Sequence, residues 1–111
     1  MALNKYKPEK IYYTISEVAD MLGVTTSALR VWERSFDELH PRRTSTGNRI
    51  YTKDDIDTVA KIRDLLKQQG MTIDGAKRLL KSNPDRVDRT YELTMRLKSI
   101  RDELQSVIDQ L

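Results

Sequence analysis

Three arginines and several hydroxyl and amide side chains lie within ten residues of one another and could bind phosphate groups. The guanidinium groups belong to Arg42, Arg43 and Arg49, and no acidic residue interrupts residues 41–52. Guanidinium groups form charge-assisted hydrogen bonds with phosphate oxygens, and uncharged donors can add to them. The uncharged donors predicted to act with these arginines are Thr44, Asn48 and Tyr51. The alternative interpretation is a solvated turn whose arginines only keep it soluble.

A second group of potential contacts precedes these arginines. Thr26, Ser27 and Arg30 have the spacing of one helix face, opposite Leu29, and Val31 lies beside them. Hydroxyl groups and free N–H groups at a helix start bind phosphates, and an arginine can pair with two acceptors of guanine. We therefore predict that this helix contacts duplex DNA; the alternative is an ordinary exposed helix start.

Capping residues predict the elements that position both groups. Thr14 and Glu17 form a T-x-x-E capping box for a first helix, which Gly23 ends, and Thr25 caps a second helix. Residues 45–48, Ser-Thr-Gly-Asn, predict the turn of a hairpin over residues 41–51, which we call the wing. Later helices are predicted to begin after Thr52, Thr72 and Asn83. Two helices joined by a tight turn and followed by a basic hairpin predict a mainly α, winged helix-turn-helix fold.

Apolar residues recur at helical spacing in each of these segments. In the second helix they include Trp32, which we expect to pack beneath the wing, although an aromatic ring here could also stack on DNA sugar. The predicted core consists of Val18, Ala19, Leu22, Ala28, Leu29, Trp32, Phe36, Ile56, Val59, Ile62, Leu66, Ile73, Ala76 and Leu79 or Leu80.

The C-terminal segment has an apolar pattern of its own, with alternating spacings of four and three residues. Its members, which we call the seam, are Leu93, Leu97, Ile100, Leu104, Val107 and Leu111. This heptad spacing keeps one stripe of a helix facing a partner helix, so we predict a homodimer. The alternative is a helix that folds back on its own domain. The predicted organisation is an arm over 1–12, a DNA-binding domain over 13–82 and a coiled-coil helix over 83–111.

Composition restricts the class of function. The 111 residues carry a formal net charge of +3, and residues 1–84 hold 15 Lys and Arg against 11 Asp and Glu. The chain has no cysteine and a single histidine, His40, which we interpret as a turn residue. No metal-ligand cluster, catalytic constellation or phosphate-binding glycine loop is present, so we expect no cofactor and no enzymatic activity. Nothing resembles a signal peptide or a membrane span, and we expect a cytoplasmic protein.

Three stretches together resemble the DNA-binding domain of the MerR family: YTISEVADMLGVTTSALRVWER, PRRTSTGNRIYTKDDID and GMTIDGAKRLL. The resemblance covers roughly residues 13–80, and the trailing helix is similar too. It implies a homodimeric transcription regulator, joined through a long antiparallel helix, that distorts promoter DNA with an overlong spacer so that RNA polymerase can engage it. By this resemblance, Arg30, Arg43, Asn48, Arg49 and Tyr51 fall on DNA-contacting positions.

The chain departs from the usual family pattern in three places. Val31-Trp32 replaces two tyrosines found in many members and resembles the subset related to cobalamin-responsive regulators, although no cobalamin-binding domain follows. The cysteines of the thiol metal sensors are absent. Asp37-Glu38-Leu39 replaces the usual Gly-Leu-Leu, so we expect a different turn. Two alternatives to a promoter regulator are an architectural or phage excisionase-like DNA-binding factor and a coiled-coil adaptor that binds protein.

Overall fold

A computed structural model describes residues 11–111 of the chain. The predicted N-terminal arm therefore lies outside the described residues, except for Ile11 and Tyr12. The elements in chain order are β1 (Tyr13–Thr14), α1 (Ile15–Leu22), α2 (Thr26–Ser35), β2 (Arg42–Arg43), β3 (Arg49–Tyr51), α3 (Lys53–Arg63), a π-helical segment (Asp64–Gln68), α4 (Ile73–Ser82) and α5 (Pro84–Asp109). This is the mainly helical architecture with a small wing that the sequence predicts.

Each helix begins at the capping residue that the sequence predicts. At α1 the capping box is complete: the Glu17 backbone N–H donates to Thr14 Oγ1 at 3.2 Å, and the Thr14 N–H donates to Glu17 Oε1 at 3.0 Å. Thr52 and Asp55 form the same reciprocal pair at α3. The side chains that cap α2, α4 and α5 are those of Thr25, Thr72 and Asn83. These local bonds satisfy N–H groups that a helix start leaves without partners.

The tight turn between α1 and α2 depends on Gly23. Its φ of +66° lies in the left-handed region, which glycine adopts without steric cost. The next N–H, from Val24, donates to the Ala19 carbonyl at 3.0 Å and closes the end of α1. The chain then enters α2, which we call the recognition helix.

The three short strands form an antiparallel sheet in the order β1-β3-β2. Tyr13 pairs with Tyr51 across β1 and β3, and Arg43 pairs with Arg49 across β2 and β3. The wing is therefore joined through β3 to the strand that leads into α1. This sheet places the wing next to the helix-turn-helix.

One hydrophobic core lies between the helices and the sheet. Trp32 and Phe36 are buried at the end of the recognition helix, as the sequence predicts. Leu39 is also buried, although the sequence placed it in a turn. The other buried apolar residues are Tyr13, Val18, Ala19, Leu29, Tyr51, Ile56, Val59, Ala60, Ile62, Leu65, Ala76, Leu80 and Val87.

The end of the third predicted helix differs from the prediction. After Arg63 the chain forms a π-helical segment, in which the Gln69 N–H donates to the Asp64 carbonyl five residues back at 3.1 Å. Leu65 is buried in the core, whereas Leu66, the predicted core residue, is only partly buried. Both leucines follow Ile62 at helical spacing, three and four residues on, and the structure buries Leu65 more deeply than Leu66.

The long helix α5 is attached to the domain at its first turns. Val87 is buried, and Lys61 Nζ of α3 lies 2.8 Å from Asp88 Oδ1. The predicted boundary at residue 83 coincides with the N-cap of α5, but the first turns of this helix still pack on the preceding helices. Beyond them, the seam is exposed to solvent.

The π-helical segment gives a test with two adjacent leucines. We expect Leu65→Ala to lower the free energy of unfolding by about 2–5 kcal/mol, because it leaves a cavity in the core. Leu66→Ala removes the same atoms from a partly exposed site and should cost less than half as much. Urea unfolding of both variants measures the difference. Equal losses, or a larger loss for Leu66→Ala, would contradict the observed register.

Candidate nucleic-acid interface

The recognition helix presents one polar, solvent-exposed face. Ser27 and Arg30 are exposed on it, with Val31 beside them, and Thr26 is partly exposed at its start. Arg34, one turn beyond Arg30, is also exposed, and the sequence analysis did not single it out. Its spacing of four residues from Arg30 was the available signal. Two guanidinium groups and a hydroxyl thus lie along one side of this helix.

The start of this helix suits a negatively charged ligand. Its first turn contains no acidic residue, so no carboxylate offsets the positive end of the helix dipole. Thr25 accepts a hydrogen bond from the Ala28 N–H at 3.0 Å and occupies one donor. Thr26 and Ser27 occupy the first two helical positions, whose N–H groups have no partner within a helix. A phosphate placed there would meet backbone donors and two hydroxyl groups.

Hydrogen bonds within the wing turn hold its polar residues in place. The Thr44 N–H donates to the Asn48 carbonyl at 2.8 Å, and the Gly47 N–H donates to the Thr44 carbonyl at 2.9 Å. The Asn48 N–H also donates to Thr44 Oγ1 at 3.2 Å. Thr46 lies between them, with its hydroxyl 2.9 Å from that of Thr44. The wing is therefore a defined turn, in which Asn48 stays exposed at the tip.

A single carboxylate connects the recognition helix to the wing. Glu33 Oε1 accepts a hydrogen bond from Arg43 Nη2 at 3.3 Å, and Glu33 Oε2 accepts one from Arg49 Nε. Only 15% of the Glu33 side chain is exposed, against 51% for Arg43 and 18% for Arg49. Arg43 also donates to the Gly47 carbonyl at 3.3 Å. No local pattern in the sequence indicates this role of Glu33, because its partners lie 10 and 16 residues away.

The three wing arginines therefore have different surroundings. Arg42 is exposed and open to a phosphate contact. Arg43 is half exposed and shared between Glu33 and the turn, so it can still meet DNA. Arg49 is mostly buried against Glu33, and its predicted contact with phosphate depends on the nitrogens that Glu33 leaves open.

Tyr51 has a different position from the other predicted contacts. Its side chain is completely buried, and its hydroxyl has no hydrogen-bond partner among the described residues. Burial, with a smaller effect of the Glu33 carboxylate, raises the pKa of Tyr51 to about 12. We assign Tyr51 to packing between β3 and the core, since a DNA contact would require the hydroxyl to be uncovered.

Two hydrogen bonds hold the turn after the recognition helix. The Leu39 N–H donates to the Phe36 carbonyl at 3.1 Å, and His40 Nδ1 lies 2.9 Å from the Asp37 carbonyl. His40 thus lies two residues after Glu38, which ends the turn, and its side chain reaches back to the turn. Lys81 of α4 lies 2.9 Å from Asp37, and this hydrogen bond and charge lower the pKa of the Asp37 carboxyl. Both partners are exposed, so the pair adds little stability.

Other kinds of site are not seen in the part of the chain that the structure describes. Within residues 11–111, no group of three or more acidic or histidine side chains could hold a metal ion. None of the helices in that range is long and apolar enough to cross a membrane. The exposed face of the recognition helix and the adjoining wing are thus the candidate site.

Comparison with known families is decisive. Residues 13–83 match the family described as MerR HTH family regulatory protein. The chain belongs to the MerR family. Its members are transcriptional regulators and not enzymes, so the family assignment agrees with the expectation of a non-enzymatic protein.

Curated relatives share only this domain with the chain. The transcriptional repressor CarH of Myxococcus xanthus is 37% identical over 68 residues, which are 61% of this chain and 22% of that protein. The regulator MlrA of Salmonella typhimurium is 35% identical over 71 residues, 64% of this chain and 29% of its own length. The regulator protein TubY of a Clostridium botulinum C phage is 38% identical over 71 residues, 63% of this chain and 29% of its length.

Solved structures share the fold along most of the chain. A MerR family regulator from Bacillus cereus has a TM-score of 0.57 at 23% identity, covering 90% of this chain and 79% of that one. A family regulator that lacks its sensor domain, solved with promoter DNA, has a TM-score of 0.56 at 23% identity, covering 89% and 83%. The N-terminal part of the multidrug transporter activator of Bacillus subtilis has a TM-score of 0.56 at 25% identity, covering 88% and 95%.

The buried position of Tyr51 gives a test by pH. Its pKa of about 12 in the folded protein exceeds the value near 10 that we expect after unfolding. This contribution to stability is complete below pH ~10 and is lost as the pH rises towards ~12, by at most about 2–3 kcal/mol. Unfolding free energies of the wild type should therefore fall more steeply over this range than those of Tyr51→Phe.

Tyr12→Phe, at an exposed tyrosine, is the matched control for the loss of one phenolic hydroxyl. Parallel profiles for the wild type and Tyr51→Phe would contradict the burial. At neutral pH, Tyr51→Phe should bind DNA as the wild type does, and a clear loss of affinity would restore Tyr51 as a DNA contact.

Proposed function

We propose that the protein is a homodimeric transcription regulator that binds promoter DNA and distorts the spacer between promoter elements. The observation that carries this proposal is the contact of Glu33 with the wing arginines. It sets the wing beside the recognition helix, whose exposed face bears Ser27, Arg30 and Arg34. One continuous basic surface of this kind fits a duplex.

Each part of this surface suits a different part of the duplex. The major groove, about 12 Å wide, admits an α-helix, and base edges are read by residues near the helix start. Arg30 is placed to pair with a guanine, while Thr26 and Ser27 meet the adjoining phosphate. Arg42, Arg43 and Asn48 of the wing then contact the flanking backbone, which positions the domain without reading sequence. Thr44 contributes mainly by holding the turn.

The seam supports pairing of two copies along α5. Its six apolar residues are between 54% and 99% exposed, although such stripes are normally covered. Five of these residues lie on one continuous helix of 26 residues, about 39 Å long, and Leu111 follows its end. A second copy offers a stripe of the same chemistry and length. Two copies would also double the contact with DNA, which a single small domain binds weakly.

Membership of the family, and the proposed arrangement of two reading domains joined by one rod, support spacer distortion. Contacts at two half-sites can supply the free energy to bend and untwist the DNA between them, which costs on the order of 1–6 kcal/mol. RNA polymerase would then engage the reshaped promoter. Two relatives are a transcriptional repressor and a transcriptional regulator, and one structural neighbour was solved with promoter DNA; these findings support the proposal.

A footprint on the DNA upstream of the protein's own gene tests the function directly. We expect a protected, pseudo-palindromic patch between the promoter elements, with altered cleavage at its centre where the duplex is distorted. Diffuse protection that disappears with salt would indicate an architectural factor instead. Absence of any protection would favour the protein-binding adaptor.

Arg30 should determine sequence preference. We expect Arg30→Ala to lower affinity for the footprinted site about tenfold or more and to relax preference at one base pair, because an arginine–guanine pair contributes ~1–3 kcal/mol of discrimination. Binding titrations on the site and on variants of its base pairs measure this. Arg89→Ala, at an exposed arginine of α5, is the control. Equal effects of the two variants would exclude a base-reading role for Arg30.

Dimerisation through α5 should depend on the seam. We expect Leu97→Asp combined with Leu104→Asp to give a monomer that binds DNA poorly, because two charges would be buried in the helix pair. Sedimentation measures the mass. The control is Ser99→Asp combined with Ser106→Asp, which adds the same charge with the same spacing away from the seam. A dimer that survives the leucine changes would show that the seam is not the contact.

A further inference from the structure

We infer that Glu33 is a positioning residue that limits non-specific DNA binding and thereby determines specificity; this rests on the proposed function. Its carboxylate lies between Arg43 of β2 and Arg49 of β3, which are cross-strand partners at the base of the wing. Among the described residues, no other carboxylate forms an ion pair with a wing arginine.

The contact fixes the wing relative to the recognition helix. Glu33 is on the helix, and its two partners are on the two strands that form the wing. Arg43 reaches onward to the Gly47 carbonyl of the turn. The carboxylate therefore ties the helix to both strands, and through Arg43 to the tip, where Asn48 is exposed. A shift of the helix would move the wing with it.

The same contact changes the charge that DNA encounters. Two guanidinium groups share one carboxylate, so the cluster carries a net charge of +1 instead of +2. Because only 15% of the Glu33 side chain is exposed, water screens this attraction less than it screens a surface pair. A wing with two unpartnered arginines would bind phosphate at any sequence, since backbone contacts carry no sequence information. Glu33 thus weakens the contribution of phosphate contacts to affinity, which is the same for every DNA sequence.

Loss of the carboxylate separates this inference from a purely structural role. If Glu33 only supported the fold, Glu33→Gln would release the wing, weaken all DNA binding and lower its salt dependence. If Glu33 also neutralises the arginines, Glu33→Gln should free them to bind phosphate. Each additional phosphate contact steepens the slope of log affinity against log salt by about 0.9 and raises affinity at ~0.1 M salt by up to roughly tenfold.

The experiment measures affinity for the footprinted site and for a random duplex over a range of salt concentrations. We expect Glu33→Gln to bind the random duplex several-fold more tightly, with a steeper slope, and to show a lower ratio of specific to non-specific affinity. Asp102→Asn is the matched control, because Asp102 also contacts an arginine, Arg101 at 3.3 Å, but lies on α5 away from the wing. This variant should leave slope and ratio unchanged.

A second pair of variants shows whether Glu33 acts through the arginines. In a background of Arg43→Gln and Arg49→Gln, adding Glu33→Gln should no longer change the slope, because the charges it neutralised are gone. If Glu33→Gln unfolds the protein, the double arginine variant still tests the inference. Removing two arginines that each bind a phosphate freely would lower the salt slope by ~1.8, and we expect a decrease well under that value.

Three results would overturn the inference. The first is a folded Glu33→Gln variant whose salt slope and ratio of specific to non-specific affinity are unchanged. The second is an Asp102→Asn variant that changes both quantities as Glu33→Gln does. The third is a double arginine variant whose salt slope falls by the full ~1.8. In each case the wild type still binds its site, so the proposed function stands. A wild type that binds neither duplex would refute the proposed function itself, and the role of Glu33 with it.

Discussion

The contact between Glu33 and two arginines is the constraint on which the candidate interface depends. The helix and the wing are each short: α2 has ten residues and the wing strands have two and three. Elements of this size do not hold a mutual orientation by backbone bonds alone. The core fixes their buried sides, and the mostly buried carboxylate fixes the sides that face outward. Removing one partner of such a buried cluster would leave a charge without compensation.

The fold was largely predictable because its boundaries are set locally. Thr14, Thr25, Thr52, Thr72 and Asn83 each bond to an N–H three residues away, so the sequence near each helix start is sufficient. The wing was predictable for the same reason, since its turn forms within five residues. The family assignment could be made from motifs in these local segments.

What the sequence did not predict arises from contacts between distant residues or from departures from regular geometry. Glu33 looks like an ordinary polar residue on a helix until its partners at 43 and 49 are folded against it. Tyr51 ends the basic strand β3 and looks in sequence like another polar contact, yet its side chain is completely buried. The π-helical segment departs from regular geometry, and of the two leucines at helical spacing from Ile62 the structure buries Leu65 more deeply than Leu66. DNA contact and pairing along α5 remain predictions.

The attachment of α5 has a consequence for the kind of DNA that such a protein can recognise. Val87 and the pair of Lys61 with Asp88 hold the first turns of this helix on α3 and its neighbours, so the direction in which it leaves the domain is set. Two copies joined along α5 would hold their recognition helices at one distance and one angle, because each α5 leaves its domain in a set direction. The target would then be defined by the rotation of its two half-sites about the duplex axis as much as by its base sequence.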